Sequence, residues 1–244
     1  MRQNKLATFE YLRHLKKYSL EYQQVPDALA KITAVKETVE HLQAKALPTR
    51  PLPRLEFSET RLFDLLGKHP DVLQMVSFLN DLRECVIENF GIWHIFSRQW
   101  VNDLQIYLRK RPVLQVMAGN AVLASYLENT IATDDFDWQG QDIQRPKPWT
   151  TVQRMDAMAA VQRYYRDVKV IIMEWAPDGD PIDYQILRIL REKNWSGEFI
   201  VIGEKNGATN SKIFWKSATL TLVKQLNKDH QPFDFIRDQV FKVE

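Results

Sequence analysis

Cysteine is nearly absent, with Cys85 the only one in 244 residues. That excludes an intramolecular disulfide framework and a Cys-rich zinc site. A single thiol fits a reducing compartment, so a cytoplasmic location is expected. Long hydrophobic runs are missing as well. No apolar stretch approaches the roughly 18 residues needed to span a bilayer, and no membrane association is expected. The opening MRQNKLATFEYLRHLKK has no unbroken apolar segment and no small-residue cleavage site, which argues against a secretory signal. Charge of one sign is not in excess either. Residues 1–110 carry 16 Lys and Arg against 13 Asp and Glu, the remainder 17 against 18, and the net is +2. Without a long basic block there is no strong nucleic-acid signal. His14, His41, His69, His94 and His230 show no ligand spacing, so no metal site is expected. There is no internal repeat and no low-complexity tract.

What is present suffices for a soluble-type core: 45% of residues are hydrophobic and 26% charged. The length suits one domain with an extension, or two modest domains. Residues 1–46 read as helix, with Leu6, Phe9, Leu12, Leu15 and Leu20 at helical spacing. Pro26 interrupts, Asp27 sits near a new helix start, and Leu29, Ile32, Val35, Val39 and Leu42 form a second stripe. The pattern predicts a helical hairpin that packs against the rest of the chain or forms a homodimer. Pro48, Pro51 and Pro53 make 47–54 an extended connector. Residues 57–110 return to helix, broken at His69-Pro70 and punctuated at Gly91. Trp93, Phe96, Trp100, Leu104 and Leu108 then fall on one helical face.

After Lys110 the pattern changes to alternation. Strands are expected at 113–116, 130–133, 151–154, 168–173 and 198–202. Helices are expected at 122–127, 157–165 and 181–192, with Asp180 as N-cap of the last. A final strand pair is expected at 220–224 and 239–243. Strand, helix, strand in repetition predicts an α/β fold, a doubly wound and mostly parallel sheet with an N-terminal α-helical extension. The expected divisions are 1–55 (hairpin and linker), 56–110 (helical lead-in) and 111–244 (the α/β domain).

In such sheets ligands bind outside the carboxyl ends of the strands. The first strand runs into Met117-Ala118-Gly119-Asn120-Ala121, a turn where small residues let backbone N–H groups approach a ligand. Only one glycine of a dinucleotide fingerprint is present, which disfavours a nicotinamide oxidoreductase. The second strand ends in Asp134-Asp135, placed to accept from ribose hydroxyls or to cap the next segment, with Phe136 and Trp138 close behind. Asp156 after the third strand suits an adenine amino group, a helix cap, or both. The fourth strand exits through Glu174-Trp175-Ala176-Pro177, where Glu174 is either a general base or a loop-shaping carboxylate. The loop 203–210, with two glycines, reads as a flexible closing loop or a solvated one.

These segments resemble those of a class I S-adenosylmethionine (SAM)-dependent methyltransferase with a divergent glycine loop. The likeness covers about residues 90–244 and rests on the order VLQVMAGNAVLASYL, IATDDFDW, VQRMDAMAAV, VIIMEWAP, FIVIGE. It implies SAM as cofactor, held by Gln115, Ala118, Gly119, Asn120, Asp134 or Asp135, and Asp156. It implies an unidentified methyl acceptor facing Glu174, Trp175 and Pro177, and an antiparallel last strand. Gln115 stands where the family has an acid, and Met117 and Ala121 stand at two of its glycines. An active transferase and a catalytically lapsed binding module using its N-terminal helices are both open readings.

Overall fold

The computed structural model describes residues 7–138 and 145–244. Leu6 of the first predicted stripe, the first six residues of the opening segment and positions 139–144 of the loop after the second strand lie outside them. The chain forms two compact units. The first comprises residues up to Arg98 together with Gln231–Phe235, and the second Gln99–His230 with Ile236–Glu244.

In the first unit, α1 (Thr8–Glu21) and α2 (Pro26–Gln43) form the expected hairpin. Pro26 occupies the first helical position of α2, where its missing N–H costs nothing. The phase of α1 differs from the leucine stripe. Tyr11, Leu15 and Tyr22 are buried, whereas Phe9 is 73% and Leu20 64% exposed. Aromatic packing decides this: Tyr11 stacks on Phe78 at 4.5 Å and its hydroxyl donates to the Phe78 carbonyl at 3.0 Å. The connector at 47–54 contains no helix or strand. Lys31 of α2 pins it by donating to the carbonyls of Arg54 and Glu56. Ser58 then caps α3 (Glu59–Leu66) by accepting from the Arg61 N–H at 3.3 Å. Next come α4 (Val72–Asn80) and α5 (Leu82–Phe90), which Gly91 ends in the left-handed conformation at φ 62°. Helix resumes only at α6 (Arg98–Leu108). Trp93 and Phe96 therefore precede that helix and do not share its face, because the left-handed Gly91 breaks the run.

Cys85 lies on the buried side of α5, and burial pushes its thiol up to about 12. The thiolate is the reactive form. An aromatic disulfide reagent is therefore expected to leave Cys85 unmodified in native protein at pH 8 and to titrate it fully in denaturant. Rapid native labelling would contradict the packing of α5.

Among the described residues the second unit holds seven strands: β1 (Val113–Val116), β2 (Thr130–Asp134), β3 (Gln153–Arg154), β4 (Val170–Glu174), β5 (Glu198–Gly203), β6 (Leu220–Leu222) and β7 (Gln239–Val243). Their order is β3-β2-β1-β4-β5-β7-β6. The first five are parallel, β7 is antiparallel to β5, and β6 is antiparallel to β7. The fold is the expected α/β doubly wound sheet, mostly parallel, preceded by helices. Leu114, Val116, Ile171, Met173, Phe199 and Val201 turn one sheet face into a core with α7 (Ala157–Tyr164), α8 (Ile182–Glu192) and α9 (Lys212–Ser217). Among the described residues, no helix is long and apolar enough to cross a membrane.

Local departures from expectation have physical causes. The predicted helix at 122–127 is only the 3-10 turn Ala124–Tyr126. Met117, Gly119 and Ala121 all adopt left-handed φ, of 52°, 55° and 50°, so the chain reaches this segment through a contorted turn. Ala118, Ala121, Ala124 and Ala132 then pack together as a small-residue cluster. Pro181, not Asp180, holds the N-cap position of α8, while the Asp180 carboxylate accepts from the Ile182 N–H at 3.0 Å. Between β6 and β7, α10 (Lys224–Asn227) begins where the strand was expected to continue.

Candidate functional site

Strand order reverses between β1 and β4, and this switch point opens the crevice where α/β sheets receive ligands. Register defines what faces it. Gln115 pairs with Ala132 of β2 and Ile172 of β4. Side chains alternate along a strand, so Asp134 and Glu174, each two residues further on, share a sheet face with Gln115. Three polar side chains thus line adjacent strands β2, β1 and β4 at their carboxyl ends. This is the face opposite the α7–α9 core.

The glycine turn and the acid after it meet directly. The Gly119 N–H donates to Asp134 Oδ2 at 2.7 Å. Asp134 Oδ1 accepts from the Phe136 N–H at 2.8 Å and the Trp138 indole at 3.3 Å. Burial pushes the Asp134 carboxyl above its ordinary value, against the pull of those three donors. The Trp138 ring stands over Gly119, with Cζ2 3.8 Å from where a Cβ would be. Asp135 is exposed and accepts from the Asp137 N–H at 2.9 Å. The pair therefore divides its work: Asp134 ties the turn together, and Asp135 faces water.

The other named residues fall around this point. Ala118 is buried and donates its N–H to the Thr133 carbonyl. Asn120 is buried too. Its side-chain oxygen accepts from the Lys147 N–H at 2.7 Å, and its carbonyl accepts from the Trp149 N–H at 2.8 Å. It fastens the far end of the β2–β3 loop to the glycine turn. Asp156 caps α7 by accepting from the Ala159 N–H at 2.9 Å. Gln115 Nε2 donates to Glu174 Oε1 at 2.7 Å. Trp175 is left-handed at φ 52°, and its indole donates to the buried Asp238 at 2.8 Å. Pro177 forms an isolated bridge with Thr209.

That bridge belongs to a larger correction. The loop after β5 is exposed at its tip, residues 205–208, as a solvated loop would be, but it is tied down at both ends and is not a free lid. The Glu204 carboxylate accepts from the Ala208 and Arg237 N–H groups at 2.8 and 2.7 Å. Asn210 donates its N–H to the Ala176 carbonyl at 2.7 Å, and Thr209, Asn210 and Ser211 are buried. Its second end, Thr209 and Asn210, is held against the exit of β4.

Two carboxylates escaped the sequence reading. Asp183 is fully buried and accepts from both the N–H and the hydroxyl of Ser211 at 2.6 Å, anchoring the start of α9. Its signal was legible: Asp183, Ile186, Leu187 and Leu190 fall at helical spacing, and an acid on an apolar stripe needs a buried partner. Asp238 gave no such signal, since its partner Trp175 is 63 residues away.

Left-handed non-glycine residues follow β1, β2 and β4 at Met117, Phe136 and Trp175. Each costs about 1–2 kcal/mol relative to ordinary backbone, and such strain concentrates at functional sites. Comparison of the chain with family models and with curated proteins returns no match.

Proposed function

We propose that this chain is a SAM-dependent methyltransferase-like protein acting on an unidentified acceptor in the cytoplasm. The observation that carries the reading is the hydrogen bond from Gly119 to Asp134, which brings the turn after β1 and the acid after β2 together beside the switch point. The antiparallel last strand agrees with the resemblance. The residues fit an adenosyl group on one condition. Asp134 already serves three internal donors, so the ribose hydroxyls fall to the exposed Asp135, whose Oδ1 accepts from the Asp137 N–H. SAM supplies a sulfonium methyl when bound. The protein's share is orientation, which requires no nucleophilic triad. Glu174 and Trp175 border the acceptor side.

One observation favours the second reading, a catalytically lapsed binding module: Trp138 covers Gly119, and Asp134 is satisfied without a ligand. Calorimetry with SAM separates the two. The transferase reading expects binding, weakened in Asp135→Ala by the about 1.5–3 kcal/mol of a lost hydrogen bond to a charged group. Neither heat nor a thermal shift at millimolar SAM would leave the module.

A further inference from the structure

A groove of about 690 Å³ runs between α2 and the proline-rich connector of the first unit. Leu29, Ala30 and Ala34 of α2 line one side, Pro48 and Pro51 the other, so much of its surface is apolar. The buried stripe of α2, with Ile32, Val35, Val39 and Leu42, turns the other way, into the unit's own core. The connector beside the groove is a fixed ridge. The Arg98 N–H ties it at the Pro48 carbonyl, at 2.8 Å, and Lys31 ties it at the carbonyls of Arg54 and Glu56. Between these ties, the backbone of Thr49, Arg50 and Leu52 makes no hydrogen bond among the described residues. Two charges border the groove, Glu37 on the helix and Arg50 on the ridge. Both are exposed, and among the described residues neither side chain has an ion pair or a hydrogen bond.

We propose that this groove is the contact surface of a homodimer, in which the connector of each copy lies in the groove of the other. The charges favour a second copy as the occupant. Whatever docks must offer a cation to Glu37 in the groove and an anion to Arg50 on the ridge. A second copy supplies both, in the chain's own arrangement. A twofold axis makes every contact reciprocal, so Arg50 of each copy meets the partner's Glu37. The ridge is held at both ends before docking, so association orders little further backbone. Its N–H and C=O groups between the ties can pair with an extended segment laid alongside, here the partner's own. A small ion answers only one of the two charges. A polyproline-binding domain would need the prolines exposed, and Pro48 is buried. The dimer concerns the first unit alone and does not rest on the methyltransferase reading.

The test is sedimentation velocity of the full chain from low to high micromolar concentration. The parent is expected to pass from monomer to dimer in that range, and the dimer to weaken at high salt. Arg50→Glu and Glu37→Arg each set like charges against one another at both reciprocal contacts. Each should therefore raise the dissociation constant about tenfold or more. An equimolar mixture of the two variants should recover the parental association, because one copy of each brings opposite charges together at both contacts. Misfolding would not be cured by mixing, so the rescue separates a lost interface from a damaged fold. Ala30→Trp, which fills the groove, should weaken association without any such rescue by either charge variant. A chain that stays monomeric throughout overturns the proposal and leaves the groove to another occupant. A dimer unmoved by both charge variants, or a mixture that associates no better than its components, overturns it as well.

Discussion

Arg83→Met is expected to destabilise the first unit by about 3–5 kcal/mol, the cost of breaking a buried ion pair from one side. Arg83 donates through Nε to Asp234 Oδ2 at 2.6 Å and through Nη2 to Oδ1 at 3.2 Å. The Asp234 side chain is 0% and the Arg83 side chain 8% exposed, so bulk water screens the pair little. Arg83 Nη1 also donates to the Trp93 carbonyl at 2.8 Å, and the guanidinium lies 4.6 Å from the Phe233 ring centre. A methionine keeps the aliphatic stem and leaves the carboxylate without its guanidinium. Restoring neutrality with Arg83→Met plus Asp234→Leu should recover much of the loss, since replacing both partners with apolar groups is far less costly than removing one. Urea denaturation of the two single variants and the double variant measures this. A single variant within 1 kcal/mol of the parent would show that the pair does not hold the unit together.

Asp134→Asn carries the second large effect. Three N–H groups converge on the carboxylate from two sides, Gly119 on Oδ2 and Phe136 and Trp138 on Oδ1. An amide keeps one oxygen, so its NH2 end must confront a donor. One buried N–H then goes unsatisfied, at about 1–3 kcal/mol. The variant also changes the response to pH. Burial raises the folded-state pKa of Asp134 above its unfolded value. In the interval between the two, the folded state binds more protons than the unfolded one, and its stability falls as pH rises through the folded-state pKa. Asp134→Asn lacks this component. Its deficit relative to the parent should therefore shrink as pH rises from about 4, the ordinary carboxyl value, towards neutrality. Paired melting curves across that range check the sign, and a widening deficit would contradict it.

The strands were legible because short β-branched runs such as Val170-Ile171-Ile172 alternate with helical spacing, and a parallel sheet follows from that grammar. The face of α1 was not. Leu12, Leu15 and Leu20 suggested one stripe, but the stacking of Tyr11 on Phe78 chose another, and a contact 67 residues distant leaves no local mark. At the site, the turn at Gly119 and the acid at 134 could be paired from their positions at successive strand ends. That the acid already serves the turn could not, because hydrogen-bond occupancy depends on where Phe136 and Trp138 fold back. Gln115 enters as a cofactor contact only through the resemblance, where it stands in place of an acid. Its bond to Glu174 needed the β1–β4 register, which no sequence pattern states.

The excursion of Gln231–Phe235 bears on how the protein can be made and divided. Leu55 donates its N–H to the carbonyl of Phe233, and Arg83 holds Asp234, so the N-terminal helices acquire these partners only after residues 99–230 have been made. The same late stretch precedes β7, the strand between β5 and β6. No single cut separates the two units: a fragment ending before residue 231 strips partners from the first and opens the sheet of the second. A cut between residues 227 and 231 should therefore loosen both units, the first through Gln231–Phe235 and the second through β7, whereas a cut between 235 and 239 should loosen the second alone.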